Sequence, residues 1–426
     1  MTRDAPAALV TRDAPAALVT RDALAALDAA DPLRAARDRF RLPPGVIYLD
    51  GNSLGPLPVA TPGLVADAVE RQWGEGLIRS WNDAGWIDLP QRIGAGIAPL
   101  LGTTPDCVIA CDSVSVNLFK LAGAALAARP GRRVILAEAG DFPTDSYILA
   151  GLARIAGAEL RLVARDAITA ALDADTALLV LAHAHYATGA VHDMAAMNAA
   201  ARAAGVLTLW DLSHSTGALA LALDADGADL AVGCGYKYLG GGPGAPGFAW
   251  VARRHHADLQ APLQGWMGHA KPFDFTQDYT PATGVARLAV GTPPILAMTA
   301  LAAGVATFDG IDMALAEAKS AALVRRFAIL AADIAARFPA LVVEPPPPGR
   351  HGAQLVLRHP RGRRVMAALI ARGVIGDFRP SDRMRFGFPA LYTRFTDLWD
   401  AAEALTQVLA SDEWRDPRFD ALGVVS

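Results

Sequence analysis

The sequence predicts an α/β fold: a large domain with a mostly parallel seven-stranded sheet flanked by helices, followed by a smaller α+β domain. Between about residues 46 and 251, short β-branched or apolar runs alternate with Ala-rich helical stretches, as is typical of a parallel sheet covered on both faces. After Pro294 the pattern changes to a helical stretch and then to short strands mixed with helices. The length of 426 residues leaves room for two or three domains of ordinary size.

The composition restricts the class of protein. Hydrophobic residues make up 53% of the chain and charged residues 19%, which excludes a disordered protein. The formal net charge of −4 gives no reason to expect nucleic acid as a partner, and no run of about 18 apolar residues predicts a membrane span. Three cysteines, Cys107, Cys111 and Cys234, are too few for a disulfide framework. We therefore expect a cytoplasmic protein without a metal site, in which these cysteines are small core residues.

The first residues of the chain repeat one another. Residues 2–10 recur identically as residues 11–19, and a variant of the same repeat begins at Thr20. Acidic residues and prolines interrupt the apolar centre that a signal peptide would need. We expect residues 1–23 to be a mobile extension and the structure to begin with the helical pattern of residues 24–40.

The elements of the large domain follow in order from the apolar runs and the stretches between them. The predicted strands are residues 107–111, 133–137, 159–163, 177–182, 206–211, 230–234 and 247–251. The predicted helices between them include residues 116–128, 144–157 and 193–205, the last of which closes on a glycine. We expect residues 61–300 to form this domain.

The elements after Pro294 predict the smaller domain. A helical stretch at residues 295–338 precedes a strand at 341–344, a proline loop at 345–348, a strand at 354–358, a helix at 362–372, strands at 374–375 and 384–387, and a helix at 396–410. We expect residues 301–426 to form this domain together with residues 24–60. The active site is expected where the two domains meet.

Two neighbouring strands end near residues that indicate chemistry. One strand ends on Asp211, and Lys237 follows the next strand, so both side chains are expected at the carboxyl edge of the sheet, where open α/β sheets bind ligands. Such a carboxylate can keep a pyridine nitrogen protonated, and such a lysine can condense with an aldehyde. Together they suit pyridoxal phosphate. The alternative is a strand-end cap and a surface lysine, but two flanking tyrosines and the Gly-rich loop 240–247 favour the cofactor.

Short segments along residues 30–415 resemble one enzyme family. They are residues 48–55, 76–82, 117–120, 141–145, 210–214, 236–239, 265–266, 291–294, 372–377, 384–387 and 391–392. The Asp-Lys pair alone indicates only the aspartate aminotransferase superfamily, whereas Asp-Gly-Asn-Ser-Leu-Gly, Arg-Gly-Val-Ile-Gly-Asp and Met-Arg-Phe-Gly are more specific. On these segments the chain is similar to the kynureninases of bacterial type, which are pyridoxal-phosphate hydrolases of fold type I.

The resemblance implies roles for residues around the cofactor. Lys237 would bind the cofactor covalently, Asp211 would pair with its ring nitrogen, and Tyr236 would contact its phosphate and donate a proton. Further cofactor contacts are implied for Val114, Ser115, Phe142, Pro143, Thr144, Asp145, His214, Trp266 and Thr292. Independently of the resemblance, Val114 and Ser115 open a helix, which is a ready phosphate site, although Ser115 could equally be its N-cap. Phe142 and Asp145 could likewise be a core residue and an N-cap.

The resemblance also implies the substrate and the reaction. Arg385 would bind the α-carboxylate of an amino acid, with Arg379 and Arg383 as rivals close in sequence. Trp81, Gly291 and Thr292 would contact the rest of the substrate. The expected reaction is hydrolysis of L-kynurenine to anthranilate and L-alanine, in a homodimer. Because Trp81 and Thr292 follow the bacterial pattern, where vertebrate members have His and Asn, we expect 3-hydroxykynurenine to be the poorer substrate.

Three departures and several alternatives accompany this interpretation. The family usually has Ser or Thr at Ala182, and often Asn and Lys at His185 and Ala187. His185 could be a structural histidine or a neighbour of the substrate. A cysteine desulfurase would need a cysteine well after Lys237, and the sequence has none after Cys234. An aminotransferase or a non-catalytic protein that binds pyridoxal phosphate stays an alternative.

Overall fold

The computed structural model describes residues 19–420, which divide into two compact units. The sheet unit comprises Ala60–Tyr186 and Val191–Phe308. The terminal unit comprises the described residues up to Val59, the short segment Ala187–Ala190 and the described residues from Asp309 onward. The described chain therefore begins and ends in the same unit.

A seven-stranded sheet forms the centre of the sheet unit. Its strands lie side by side in the order Val108–Ala110, Gly247–Val251, Leu230–Cys234, Leu207–Asp211, Thr176–Ala182, Val134–Glu138 and Glu159–Val163. Gly247–Val251 runs antiparallel to both neighbours, and the remaining pairs are parallel. The predicted α/β class with a mostly parallel seven-stranded sheet is confirmed.

Burial explains why the sequence pattern predicts these strands. Every residue of Leu207–Asp211 and Leu230–Cys234 is buried, as in a parallel sheet covered on both faces, so each strand is mostly apolar in sequence. Glu159–Val163 lies at the edge and is partly exposed. The predicted bounds of all seven strands lie within two residues of the observed ones.

Seven helices of the described chain belong to the sheet unit. They are Thr61–Asp67, Ser80–Asp83, Leu89–Leu101, Val114–Ala127, Pro143–Ala156, Met194–Ala203 and Ile295–Ala306. A π-helical segment, Ala68–Gly76, follows the first of them. The second predicted helix begins one residue earlier than expected, because proline is tolerated in the first turn. The third ends at Ala203, and Gly205 adopts a φ of 71° just beyond it.

The helical stretch predicted at residues 295–338 is two helices. Ile295–Ala306 ends the sheet unit, and Met313–Arg337 begins anew in the terminal unit. Gly310 between them has a φ of 73°, and the Asp312 carboxylate accepts hydrogen bonds from the backbone N–H groups of Ala314 and Leu315 at 2.9 and 3.4 Å. This N-cap restarts the helix, so the units divide after Phe308 rather than after residue 300.

The described part of the N-terminus is ordered earlier than predicted. The helix Arg21–Ala30 begins before Leu24, because the Thr20 hydroxyl accepts a hydrogen bond from Ala23 N. It ends before Pro32 rather than running to Phe40, since the residue before a proline is driven to extended backbone. A 3₁₀-helical segment, Arg34–Arg39, then follows. Residues 1–18 of the predicted extension lie outside the described residues.

The terminal unit is built on a four-stranded antiparallel sheet. Its strands lie in the order Val342–Glu344, Gln354–Arg358, Arg383–Gly387 and Asp377–Arg379, and its other helices are Met313–Arg337, Gly362–Ala371 and Phe395–Ala410. Two short pairs join distant segments: Phe40–Arg41 with Leu57–Pro58, and Ile47–Tyr48 with Val374–Ile375. The sequence missed Asp377–Arg379, whose short polar run carries no apolar pattern.

Within residues 19–420, the helices are all too short or too polar to cross a lipid bilayer. The same residues contain no cluster of His, Cys, Asp and Glu that could hold a metal ion.

Candidate active site

A cavity of about 280 Å³ opens at the carboxyl ends of the central parallel strands. Its lining residues are Val114, Ser115, Asp141, Phe142, Thr144, Asp145, Ala182, Ala184, Tyr186, Asp211, Ser213, His214, Tyr236 and Lys237. Asp211 and Ala182 end adjacent strands, and Lys237 follows the next strand along the sheet. The structure thus brings together most of the predicted cofactor residues at the edge where the sequence placed them.

The amine of Lys237 is surrounded by three rings. Its Nζ lies 3.0 Å from Nε2 of His214 and 5.8 Å from the ring centroids of both Phe142 and Tyr236. Burial raises the pKa of the Tyr236 hydroxyl, and the nearby Cys234 and Asp211 add to the effect. Tyr236 therefore keeps its proton at neutral pH and is a proton donor beside the amine.

Two buried carboxyl groups, those of Asp145 and Asp211, line the cavity together with the amine of Lys237. Asp211 Oδ1 accepts hydrogen bonds from Ser213 N at 2.8 Å and from Ser213 Oγ at 2.6 Å, which orient its carboxyl group. Burial, and then the charge of Asp211, hold the pKa of Asp145 well above its usual range. Asp145 therefore tends to hold its proton beside Asp211.

The loop that carries Phe142 is tied to the sheet by Asp141. Its Oδ1 accepts a hydrogen bond from Phe142 N at 2.8 Å, and its Oδ2 accepts one from Ala182 N at 3.0 Å. The Phe142 ring in turn packs edge-on against Tyr186, with centroids 5.4 Å apart. Asp141 was given no role from the sequence. Its position directly before Phe142, in a segment that resembles the family, could have indicated one.

Helix Val114–Ala127 begins at the same cavity. Its N-cap is Ser113, whose Oγ accepts a hydrogen bond from Val116 N at 3.4 Å, so Ser115 is not the N-cap. The hydroxyl of Ser115 and the first-turn N–H groups are left to face the cavity, where helix geometry favours an anion. Asp145 likewise lies inside the first turn of its helix rather than at the cap, which is Phe142.

The donor set of this cavity fits pyridoxal phosphate. A phosphate suits the start of helix Val114–Ala127, an aldehyde suits Lys237, and an aromatic face suits Phe142. A ring nitrogen that carries a proton suits the carboxyl group of Asp211 as its partner.

Four predicted residues of the sheet unit lie away from this cavity in the described chain. Trp266 is 40% exposed and packs edge-on against Phe273 at 5.7 Å between centroids. Gly291 and Thr292 line a separate small cavity of about 40 Å³ with Asp112. Trp81 packs edge-on against Trp86 at 5.9 Å. Their roles, and that of Pro143, which begins a helix beside the lining residues, stay predictions.

Arg385 belongs to a buried cluster of charged and polar groups in the terminal unit. Its Nε and Nη2 donate hydrogen bonds to the two carboxylate oxygens of Asp377 at 3.0 and 2.6 Å, and Nη2 also donates to Ser53 Oγ at 3.0 Å. The side chain of Arg379, which pairs with the same carboxylate, is 41% exposed, and that of Arg383 is 39% exposed. Of the three candidate arginines, Arg385 is the one whose guanidinium group is buried and donates two hydrogen bonds to the carboxylate of Asp377.

A second carboxyl group belongs to the same cluster. Burial, followed by the charge of Asp377, raises the pKa of Asp50 to about 7, although Ser53 and Arg385 oppose the shift. Its Oδ1 is buried and has no hydrogen-bond partner among the described residues. Asp50 therefore changes its charge in the physiological pH range.

The three residues that depart from the family pattern are Ala182, His185 and Ala187, and the structure gives each a defined position. Ala182 lines the cavity at the end of its strand, so a hydroxyl there would face the same space. His185 Nε2 lies 3.1 Å from the carbonyl oxygen of Gly140, and its ring stacks on Tyr186 at 5.2 Å. These contacts favour a structural role for His185. Ala187 begins the segment Ala187–Ala190 of the terminal unit.

Comparisons with known proteins agree on one family. Models described as the kynureninase C-terminal domain and aminotransferase class-V match residues 316–405 and 148–335. A kynureninase from Burkholderia mallei strain SAVP1 is 46% identical over 402 residues, which cover 93% of this chain and 97% of the relative. A kynureninase from Pseudomonas fluorescens is 44% identical over 394 residues, covering 91% and 95%.

Solved structures of low sequence identity share the fold. A C-DES mutant with glycine covalently linked to its pyridoxal phosphate superimposes with a TM-score of 0.72 at 18% identity, covering 87% of this chain and 98% of that one. The apo cysteine desulfurase from Thermococcus onnurineus NA1 gives a TM-score of 0.73 at 16% identity, covering 88% and 98%. At this level of identity the likeness establishes the architecture alone.

Proposed function

The chain belongs to the kynureninase family, and from this premise we propose that it hydrolyses L-kynurenine to anthranilate and L-alanine with pyridoxal phosphate as its cofactor. Tryptophan catabolism is the usual setting of this reaction. The observation that carries the proposal is the convergence of Lys237, Asp211 and the start of helix Val114–Ala127 on one cavity.

The residues of this cavity divide the work of holding the cofactor. Lys237 would bind its aldehyde carbon, Asp211 its ring nitrogen, and Ser115 with the helix N-terminus its phosphate, while Phe142 covers one face. When bound, the cofactor draws electron density away from the reacting carbons of the substrate. The protein contributes position and charge.

The reaction needs protons to be moved at defined atoms. Once displaced by the substrate's amine, Lys237 Nζ would be the base that accepts the Cα proton of the substrate, and His214, 3.0 Å away, would hold the amine in place. Water adds to the γ-carbonyl, the Cβ–Cγ bond breaks, and the aromatic acid leaves. Tyr236, whose raised pKa keeps it protonated, supplies the proton that Cβ needs to become the methyl group of alanine. The family resemblance implies that Arg385 would bind the α-carboxylate of the substrate.

A test of the reaction uses the purified holoenzyme. Absorbance with and without kynurenine reports cofactor binding, and anthranilate fluorescence with alanine analysis reports products. We expect anthranilate and alanine in equal amounts, lost by more than about 100-fold in Lys237→Ala because its base is removed. Lys271→Ala, whose side chain is 76% exposed, is the matched control.

Other products would contradict the proposal. Transfer of the amino group to a keto acid would indicate an aminotransferase. A yellow protein that releases no anthranilate would indicate a binding protein, and a fully active Lys237→Ala would overturn the assigned base.

Desulfurase activity is disfavoured despite the shared fold. The last cysteine, Cys234, is buried at the end of its strand, and no cysteine follows it in the sequence to serve as a nucleophile. The three cysteines are free and buried, which supports the proposal of a reducing, cytoplasmic location.

We propose that L-kynurenine is preferred over 3-hydroxykynurenine. Trp81 and Thr292 lack the imidazole and carboxamide that could pair with a ring hydroxyl, and a hydroxyl without partners loses binding free energy on burial. The kcat/KM of the unsubstituted substrate is therefore expected to be higher by about tenfold or more. Equal or reversed values would contradict this preference.

We propose further that the protein acts as a homodimer whose copies complete each other's cavity. Trp266, Gly291 and Thr292 do not line the Lys237 cavity within the described chain, which supports their reaching the cavity of a second copy. Large apolar residues are exposed in the sheet unit, among them Trp73, Leu77, Ile78, Phe273 and Phe275. A contact between copies would bury such residues.

Mixing two inactive variants tests this arrangement. Lys237→Ala and the double variant Trp266→Ala/Thr292→Ala are unfolded together and refolded. If the residues cross between copies, mixed dimers contain one intact site, and about a quarter of the wild-type sites return. No recovery in a dimer shown by ultracentrifugation would place Trp266 and Thr292 in their own copy's site.

A further inference from the structure

A second lysine, outside the Lys237 cavity, is fully buried and contacts the turn before helix Val114–Ala127. Lys120 lies on helix Val114–Ala127, and its side chain is 0% exposed. Its Nζ donates hydrogen bonds to Asp112 Oδ2 and to the carbonyl oxygen of Leu288, both at 2.6 Å. A buried ammonium group is stable only where hydrogen bonds and an ion pair compensate for its lost hydration. These partners therefore hold the amine of Lys120 in one position.

The carboxylate that Lys120 holds belongs to an unusual turn. Asp112 has a φ of 45°, in the left-handed region that residues other than glycine seldom adopt. It lies directly before Ser113, the N-cap of helix Val114–Ala127. The conformation of Asp112 therefore decides the direction in which the helix presents its first N–H groups.

The backbone of this turn is held on its other sides as well. Asn117 Nδ2 donates a hydrogen bond to the carbonyl oxygen of Cys111 at 2.8 Å, and Gly247 N donates one to that of Asp112 at 2.8 Å. A Cβ at Gly247 would lie 3.1 Å from Val114 N, so the strand runs directly against the helix start. Lys120 supplies the tie to the side chain of Asp112.

The other contact of Lys120 leads to a second predicted cofactor residue. Leu288, whose carbonyl oxygen it binds, is followed by the segment that contains Thr292. Asp112 and Thr292 line the same small cavity. One ammonium thus joins the turn before the helix to the segment of Thr292.

We propose that Lys120 is a positioning residue for the cofactor's phosphate: it fixes the turn at Asp112 and the segment after Leu288 so that the N-terminus of helix Val114–Ala127 is presented to that group. The inference rests on the proposed cofactor. Lys120 itself does not line the cavity and acts through Asp112.

The alternative is a lysine that only stabilises the fold, and the chain contains a matched example. Lys319 in the terminal unit is also buried, pairs with Asp31 at 2.7 Å and donates a hydrogen bond to the carbonyl oxygen of Ala390 at 2.6 Å. It has the same contact pattern in a different unit from the cavity. Lys319→Met therefore controls for the loss of a buried ion pair.

The test measures cofactor affinity rather than activity. Apoenzymes of wild type, Lys120→Met and Lys319→Met are titrated with pyridoxal phosphate and with pyridoxal, which lacks the phosphate, and binding is followed by absorbance. We expect Lys120→Met to weaken pyridoxal phosphate by about tenfold or more and pyridoxal by less than about threefold, because only the phosphate site is displaced. Lys319→Met should change neither dissociation constant, whatever its effect on Tm.

Two results would overturn the inference. One is an equal loss of affinity for both compounds in Lys120→Met, and the other is an unchanged dissociation constant for pyridoxal phosphate. If Lys120→Met does not fold, Asp112→Asn is tested in its place, because it keeps the shape of the side chain but removes the ion pair with Lys120. The same results are expected of it, and the same two results would overturn the inference. A wild-type protein that binds the cofactor but leaves kynurenine intact would refute the proposed reaction alone, since these affinities do not depend on turnover.

Discussion

Asp145 and Asp211 show how neighbouring carboxyl groups in one cavity acquire different roles. Burial and the charge of Asp211 raise the pKa of Asp145, while Asp211 accepts two hydrogen bonds from Ser213 that orient its carboxyl group. A protonated carboxyl group can both donate and accept a hydrogen bond, whereas a carboxylate can pair with a cation.

This difference predicts unequal effects of the same substitution. Asp211→Asn removes the charge that would pair with a ring nitrogen and is expected to lower kcat/KM by about 100-fold or more, whereas Asp145→Asn replaces one neutral donor with another and is expected to cost less than about tenfold. Steady-state kinetics with kynurenine measure both. Equal losses would show that Asp145 is also charged in the working enzyme.

A second prediction at the residue scale concerns Asp50 and pH. Its pKa rises from an ordinary 3.8 to about 7 on folding, so the folded protein holds a proton that the unfolded chain releases between those values. Stability from this group is therefore complete below about pH 4 and is lost as pH rises to about 7.

Asp50→Asn should remove this loss, because an amide does not ionise. The Tm of the variant relative to wild type is expected to increase between pH 5 and pH 8, as followed by circular dichroism at several pH values. A Tm difference that stays constant across this range would contradict the assignment.

Among the elements, the first described helix caps the last one. Asp28 on helix Arg21–Ala30 accepts hydrogen bonds from Phe395 N at 2.6 Å and from Thr396 N at 3.0 Å, the first donors of helix Phe395–Ala410. These N–H groups have no partner within their own helix, so a carboxylate from a distant segment satisfies them.

Asp28→Ala is expected to lower the free energy of unfolding by about 1–2 kcal/mol, as the loss of an N-cap does. Asp22→Ala, an exposed position on the same helix, is the control and should cost less than about 0.5 kcal/mol. Urea denaturation measures both. Similar losses would mean that the helix Arg21–Ala30, rather than the cap, is affected.

The same scale shows which elements a sequence pattern can predict. The inner strands of the large sheet were predicted because burial on both faces makes each of them mostly apolar, whereas the partly exposed edge strand Glu159–Val163 was predicted from its alternating pattern. Asp377–Arg379 was missed because its pairing with Arg383–Gly387 rests on backbone hydrogen bonds and an ion pair. The split between Ile295–Ala306 and Met313–Arg337 was missed because alanine favours helix on both sides of the interruption.

At the scale of the whole molecule, the terminal unit depends on segments from both ends of the described chain. Leu24 and Leu49 lie in one hydrophobic core with Phe327 and Phe386, and Ile47–Tyr48 pairs in parallel with Val374–Ile375. The C-terminal segment by itself would leave this core open to water.

We therefore expect residues 309–426 expressed alone to lack a cooperative thermal transition, and co-expression with residues 19–59 to restore one. Circular dichroism against temperature measures both, and the transition of the full chain is the reference. A cooperative transition in the isolated C-terminal fragment would show that the N-terminal segment is dispensable for its core.

By itself the sequence determined the α/β class, the strand positions and the pairing of Asp211 with Lys237 at one sheet edge, because each depends on a local pattern of burial and on residue type at strand ends. Only the tertiary structure decided that Asp141 ties Phe142 to the sheet through Ala182 and that Asp377 orients Arg385. It also decided that Lys120 binds Leu288. These contacts depend on how folding orients side chains and joins segments that can be far apart in the chain, and no local pattern encodes that meeting.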